Sequence, residues 1–209
     1  MLDFDGTVTQ KDIGDEICDR FAPPQWRDID AAWVRNEISL PDAQRKMWGL
    51  ARAERPEAIA YARQVGHLRP GLDALLAAAR RAGATMWLAS GGFDFYIEAL
   101  LGPRLGAFER RWFNATRFVD GRIEVGFPHD DLGCGRCAVC KGKVCDEARA
   151  TGRPTVFIGD GASDRCAIGR ADRVFAVRGS LLERACAERG AACVPFDDFG
   201  EIAATLTRT

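Results

Sequence analysis

Two carboxylates stand almost at the start of this 209-residue chain, Asp3 and Asp5 in MLDFDGTVTQ, directly before a Gly-Thr pair. Side chains two apart on an extended segment face the same way, so both would point into one cleft. GDGASD adds Asp160 and Asp164, SGG adds Ser90 and Gly91, and CKGK adds Lys141. Clustered carboxylates repel, and they need a hard cation or shared protons. Oxygen-only ligands with open positions suit Mg²⁺, which keeps waters and accepts phosphate oxygens. Ser90, the glycine amides around it and a helix amino terminus behind them would form a seat for an oxyanion or phosphate. Lys141 would place a point charge on the same anion. The chemistry such a set could do is phosphate-ester hydrolysis in two steps. A carboxylate nucleophile, Asp3, would form an aspartyl-phosphate. Asp5 would give a proton to the leaving alkoxide and later take one from water.

These residues act together only if the fold gathers them. Residues 1–5 read as the stub of a buried strand. The stretch from about 10 to 66 reads as helical: Ile13, Ile17 and Phe21 recur at helical spacing, Ser39-Leu-Pro-Asp42 resembles a helix start, and PEAIAYARQV is a further short helix. GLDALLAAARRAGA is then an amphipathic helix, TMWLAS a short apolar strand, and GGFDFYIEALLG a glycine turn entering a helix. The same order returns in KVCDEARATG, PTVFIGDGASD and RVFAV, followed by SLLERACAERG, in which Ser180 and Glu183 are spaced as a capping box, and by AACVPF. FVDGRIEV reads as a hairpin turning at Asp-Gly. Helix–strand–glycine turn–helix is the grammar of a parallel sheet. The expected fold class is α/β, a Rossmann-like parallel sheet core over 1–9 and 67–209, with a small helical-bundle cap over 10–66 inserted after the first strand. Ligands in such sheets bind beyond the carboxyl ends of the strands, where Asp3, Ser90 and Asp160 would arrive.

Composition excludes several classes. Hydrophobic residues make up 47% and charged residues 28%, an ordinary globular balance. A net charge of −1 gives no footprint for nucleic acid. There is no apolar run of about 18 residues to span a membrane and no charged-then-apolar leader, so a cytoplasmic protein is expected. Of the eight cysteines, Cys134, Cys137 and Cys140 are spaced CxxCxxC, with Cys145 five residues on. Four thiolates could hold structural Zn²⁺, although the shared middle cysteine departs from paired CxxC knuckles, and reduced structural thiols are the competing reading. His129 could join them or be an ordinary loop residue, and His67 falls at the junction between insert and core. Lys11, Asp12, Glu16, Arg45 and Trp48 in the insert are candidates for substrate contact, each also readable as a solvated face or bundle core. Asp12 and Glu16, four apart, would suit a basic amine on the substrate.

The ordered set DFDGT, SGG, lysine and GDGASD resembles the haloacid-dehalogenase superfamily of phosphohydrolases, and the insert after the first motif resembles its phosphoserine-phosphatase-like branch. That resemblance implies Asp3 as nucleophile and Mg²⁺ ligand, and Asp5 as general acid/base with its backbone carbonyl on the metal. Ser90 and Gly91 would bind the phosphoryl group, Lys141 would steady nucleophile and phosphate, Asp160 would be a metal ligand, and Asp164 would support the metal site. Lys143 is a rival for the lysine role; Lys-Gly opening a helix favours Lys141. FAPPQW, WGL, SGGFDF, the Pro-His before the cysteine-rich stretch and VPFDDF resemble the 2-hydroxy-3-keto-5-methylthiopentenyl-1-phosphate phosphatases of methionine salvage. The cysteine run followed by lysine is also similar to phosphoethanolamine/phosphocholine phosphatases, and the core fits phosphoserine phosphatase. The substrate expected is a small phosphate ester, with a non-catalytic phosphate-binding protein or a zinc/redox protein as readings of another class. Only Met1 and Leu2 precede Asp3, where the superfamily has several apolar residues. A start upstream or a clipped first strand is expected, the latter losing apolar burial of about a few kcal/mol.

Overall fold

Met1, Leu2 and Asp3 run between two strands in the computed structural model, which describes residues 1–130 and 134–206. Leu2 bridges Leu88 on one side and Ile158 on the other, both in parallel. Leu2 N donates to Trp87 O at 2.9 Å, Asp3 N to Ile158 O at 3.0 Å, and the Met1 amine to Val156 O at 2.7 Å. Short as it is, the segment is paired on both sides, which holds Asp3 in register. Beside it lies a largely apolar pocket of about 320 Å³, lined among others by Leu2, Trp87, Val156, Phe175 and Ile202.

The sheet grows outward from this segment. On one side lie β1 (Trp87–Phe93) and β2 (Arg110–Val119), parallel over Trp87↔Arg110 to Phe93↔Asn114. The second half of β2 turns back through β3 (Arg122–Gly126), antiparallel, with Asp120 and Gly121 at φ of 49° and 71°. Two central turn residues at positive φ match the twist of a two-residue hairpin, which is why Asp-Gly serves there. On the other side lie β4 (Val156–Gly159), β5 (Arg173–Val177) and β6 (Val194–Phe196), all parallel. The order is therefore β2, β1, residues 1–3, β4, β5, β6.

Before β1 come α1 (Ile13–Phe21), α2 (Trp26–Val34), α3 (Leu40–Leu50), α4 (Arg55–Val65) and α5 (Leu72–Arg81). After it come α6 (Asp94–Leu101), α7 (Lys141–Arg149), α8 (Leu181–Glu188) and α9 (Phe199–Leu206). Sequence patterning does not anticipate α9 or the first half of β2. Side chains alternate across the sheet as period two requires. Leu2, Leu88, Ile158 and Phe175 face the core shared with α5, α9 and the inserted helices. Met1, Trp87, Ala89, Phe157 and Val174 face the core of α7 and α8.

Helix starts follow local chemistry. Ser39 Oγ accepts Asp42 N at 3.2 Å, and Asp12 accepts Asp15 N at 3.0 Å; each satisfies an amide that a helix's first turn leaves unpaired. Ser180 caps α8 in the same way, but the Glu183 carboxylate takes the Gly179 amide, one residue earlier than a capping box requires. The chain enters and leaves the inserted helices through an antiparallel pair, Thr9 opposite Leu68, with Gln10 N donating to His67 O at 2.9 Å. Across the insert, Ala53 N reaches Gly121 O of the hairpin turn at 3.0 Å.

Candidate active site

Asp3, at the end of its extended segment, is 4% exposed. Lys141, the first residue of α7, is equally enclosed. Its Nζ lies 3.0 Å from Asp3 Oδ1 and 2.9 Å from Asp164 Oδ1, and donates to Ser163 Oγ at 2.6 Å. The Asp164 contact lies outside hydrogen-bond geometry and acts as charge attraction. Burial by itself would favour the neutral amine, but the Asp164 and Asp3 carboxylates hold the Lys141 pKa above its ordinary value. Asp164 Oδ2 accepts Asp160 N at 2.8 Å and Gly161 N at 2.9 Å, which folds the GDGASD turn around that carboxylate. Lys143, the alternative lysine, is exposed.

Asp160 faces the same point from the end of β4. Its Oδ1 accepts Thr7 Oγ1 at 2.8 Å. Carboxylate oxygens of Asp3, Asp160 and Asp164 lie within 4.8 Å of one another. Burial, then the Asp164 charge, raises the Asp3 pKa to about 7, and burial with both neighbours raises that of Asp160 well above the ordinary range. Enclosed oxygen donors whose ionised forms are penalised this way fit a hard divalent cation, which would restore their charge. Gly6, at φ 72°, is required here: a Cβ on it would sit 2.3 Å from Asp160 Oδ2.

Asp5 begins the turn after this segment. Its Oδ1 accepts Ile13 N at 3.0 Å, and its Oδ2 accepts the Tyr96 hydroxyl at 2.8 Å and Ser90 Oγ at 3.5 Å. Burial, then the Asp12 and Asp3 charges, raises its pKa well above the ordinary value. That shift favours the protonated form, the one able to give up a proton, while the hydrogen bonds it accepts favour the ionised form. Ser90 is fully buried, and its Oγ accepts Gly92 N at 2.9 Å. Gln44 Nε2 and Asn114 Nδ2 each donate to Gly91 O at 2.7 Å, which fixes the SGG backbone. Gly92 leaves room for the pair beside it: a Cβ there would sit 2.1 Å from the Tyr96 hydroxyl and 2.3 Å from Asp5 Oδ2.

The residues named from sequence thus divide. Asp3, Asp5, Ser90, Gly91, Lys141 and Asp160 line one cleft of about 280 Å³, with Asp12 and Trp48 on its far wall. Asp164 lies just beneath, holding Lys141 and the turn. Lys11, Glu16 and Arg45 are absent from that wall. Lys11 and Glu16 pair with each other at 2.7 Å on the surface, and Arg45 stacks over Phe127 at 4.7 Å while pairing with Asp42. Asp12 and Glu16 do not meet in the cleft: Asp12 lines it while capping α1, and Glu16 pairs with Lys11 on the surface. On the inserted-helix side of the cleft, the acids that accompany Asp12 are Asp15 and Asp30.

The cysteines also regroup. Cys134, Cys137 and Cys140 gather with Cys166, not with Cys145. Lys141 and Cys145 are four apart on α7, so the face that buries the lysine also buries Cys145 against the sheet, away from the loop. His129 is not in the group, and His67 is exposed at the insert junction. Thr7 and Ser163 escaped notice although they sit inside DFDGT and GDGASD. Tyr96, Gln44 and Asn114 offered only a faint signal, polar atoms on faces that are otherwise apolar.

A family model described as haloacid dehalogenase-like hydrolase matches residues 1–168. The chain belongs to the haloacid dehalogenase-like hydrolase family. Among its relatives in that family, the 2-hydroxy-3-keto-5-methylthiopentenyl-1-phosphate phosphatase of Geobacillus kaustophilus is 31% identical, over 100% of this chain and 94% of its own. The namesake of Exiguobacterium sibiricum is 30% identical, over 100% and 96%. The bifunctional enzyme MtnB/MtnX of Bacillus licheniformis is 32% identical, and this chain spans about half of it, 49%. The fold is that of a phospho-aspartyl intermediate analogue of phosphoserine phosphatase, at a TM-score of 0.73 and 20% identity, covering 98% of this chain and 96% of that one. A substrate-bound phosphoserine phosphatase complex gives 0.72 and 19%, covering 98% and 95%.

Proposed function

We propose that this family member is a Mg²⁺-dependent phosphomonoester hydrolase acting on a small metabolite through an aspartyl-phosphate. The observation that carries the reading is the enclosed Lys141 between Asp3 and Asp164, with the Asp160 carboxylate facing the same point. Asp3 is the nucleophile. Ser90 and the Gly91 amide receive the phosphoryl oxygens, and Lys141 holds Asp3 in place and offsets charge on the anion. Asp5, protonated, gives its proton to the departing alkoxide as the Asp3–phosphorus bond forms. Once ionised, it takes a proton from the water that cleaves that bond. Mg²⁺ would be held by Asp3, Asp160 and the Asp5 backbone carbonyl, and would supply charge neutralisation for the phosphoryl oxygens. The inserted helices serve as a cap that covers the cleft and limits water. The free thiols suit a reducing compartment, so we place the reaction in the cytoplasm.

For the substrate, we favour 2-hydroxy-3-keto-5-methylthiopentenyl-1-phosphate, the compound in the names of the full-length relatives. The cap side of the cleft offers Trp33, Leu40, Met47 and Trp48, an apolar wall suited to a thioether. Asp12, Asp15 and Asp30 on the same side favour a second reading, an amine-bearing ester such as phosphoserine or phosphoethanolamine. Phosphate release from a panel containing all three compounds, with and without Mg²⁺, tests both. Asp3→Asn is expected to lower turnover at least ~10³-fold, because the covalent step disappears. Turnover near wild type in that variant would end the reading.

A further inference from the structure

The Sγ atoms of Cys134, Cys137, Cys140 and Cys166 all lie within 4.8 Å of one another. Cys134 and Cys137 are 3.4 Å apart, and Cys137 and Cys166 are 3.8 Å apart. These spacings are far too long for a disulfide, whose sulfurs sit about 2.05 Å apart. They are close to what a tetrahedral ion requires: four sulfurs, each about 2.3 Å from a centre, stand roughly 3.8 Å from one another. The loop alone cannot close such a shell. Cys134, Cys137 and Cys140 supply three corners, and the fourth comes from the turn that carries Asp160, Ser163 and Asp164.

We propose that Cys134, Cys137, Cys140 and Cys166 bind one structural Zn²⁺ ion. A closed set of four soft ligands selects a thiophilic metal and leaves no position for substrate, which separates this site in kind from the oxygen-lined cleft. Its placement gives it a task. Cys140 immediately precedes Lys141, and Cys166 follows Ser163 and Asp164, the partners of Lys141. The ion would clamp together the two segments whose side chains meet at the Lys141 ammonium. The same loop also reaches the inserted helices, since Leu40 N donates to Arg136 O at 2.9 Å and Arg136 donates to Asn36 O at 2.6 Å. Zinc would therefore tie the lysine, the GDGASD turn and the entrance of α3 into one unit.

The test is metal analysis of the full chain, purified reduced and desalted without chelator. About one zinc per chain is expected, and cobalt exchanged into the site should give the charge-transfer and visible bands of tetrahedral thiolate coordination. Cys134→Ser, at an exposed position, and Cys166→Ser should each lose the metal. Cys145→Ala should keep it. Loss of zinc should lower kcat about tenfold through Lys141, a consequence that follows the metal readout and is not needed for it. Because zinc content and the cobalt spectrum do not depend on turnover, a failed phosphatase assay leaves this test standing. Protein that stays zinc-free after equilibration with buffered Zn²⁺, that carries a Cys134–Cys137 disulfide instead, or that loses metal in Cys145→Ala but not in Cys166→Ser would overturn the proposal.

Discussion

The proton chemistry of the cleft turns on one hydroxyl. Tyr96 donates to Asp5 Oδ2 at 2.8 Å, a bond that favours the ionised carboxylate and so partly counters the burial that raises its pKa. Tyr96→Phe should therefore raise the Asp5 pKa further. Asp5 must be protonated when the alkoxide leaves, so the alkaline limb of kcat should move to higher pH, with kcat at neutral pH altered several-fold at most. A pH profile that superimposes on wild type would separate Tyr96 from the proton donor.

At the scale of elements, the loop that carries the first motif is fastened from a distance. Arg69, just beyond the inserted helices, donates to Thr7 O at 2.8 Å and Gly6 O at 2.7 Å, and to Asp197 O at 3.2 Å ahead of α9. One side chain thus joins the nucleophile loop, the exit of the insert and the carboxy-terminal helix. Arg69→Ala would leave partly buried carbonyls without donors, a loss of about 2 kcal/mol. For a chain of this length that corresponds to a fall in Tm of roughly 4–8 °C. Arg69→Lys should recover only part of it, since a single ammonium cannot reproduce the planar fork. Thermal denaturation of the two variants beside wild type checks this, and equal Tm values would show the fork to be dispensable.

For the whole molecule, the acids of the cleft set a pH dependence. In the folded chain the Asp3 pKa is raised from 3.8 to about 7, and that of Asp160 is raised as well. A raised folded pKa means that the protonated form supports the fold. This contribution is fully present below about pH 4 and is lost as pH rises through about 7. Metal-free protein should lose stability across that window, and Asp3→Asn should flatten the decline. Mg²⁺ bound to the ionised acids would oppose it, so the rise in Tm on adding Mg²⁺ should be larger at pH 8 than at pH 5. An equal rise at both values would mean that the cation binds elsewhere.

Sequence by itself determined the local chemistry. Capping at Ser39, the Asp-Gly hairpin, the parallel strands and the ordered motifs are legible because each depends on neighbours a few residues away. Resemblance, Lys-Gly opening a helix, favours Lys141 over Lys143, and Lys141 is the one that α7 buries. What depends on distant packing was decided by the tertiary structure alone. Cys166 and not Cys145 completes the sulfur group, Tyr96 meets Asp5, and Gln44 and Asn114 share Gly91 O. The same packing turned Lys11, Glu16 and Arg45 away from the cleft, because each has a nearer partner on the surface. Periodicity states which face of an element is buried; it carries no information about which other element's side chain arrives there.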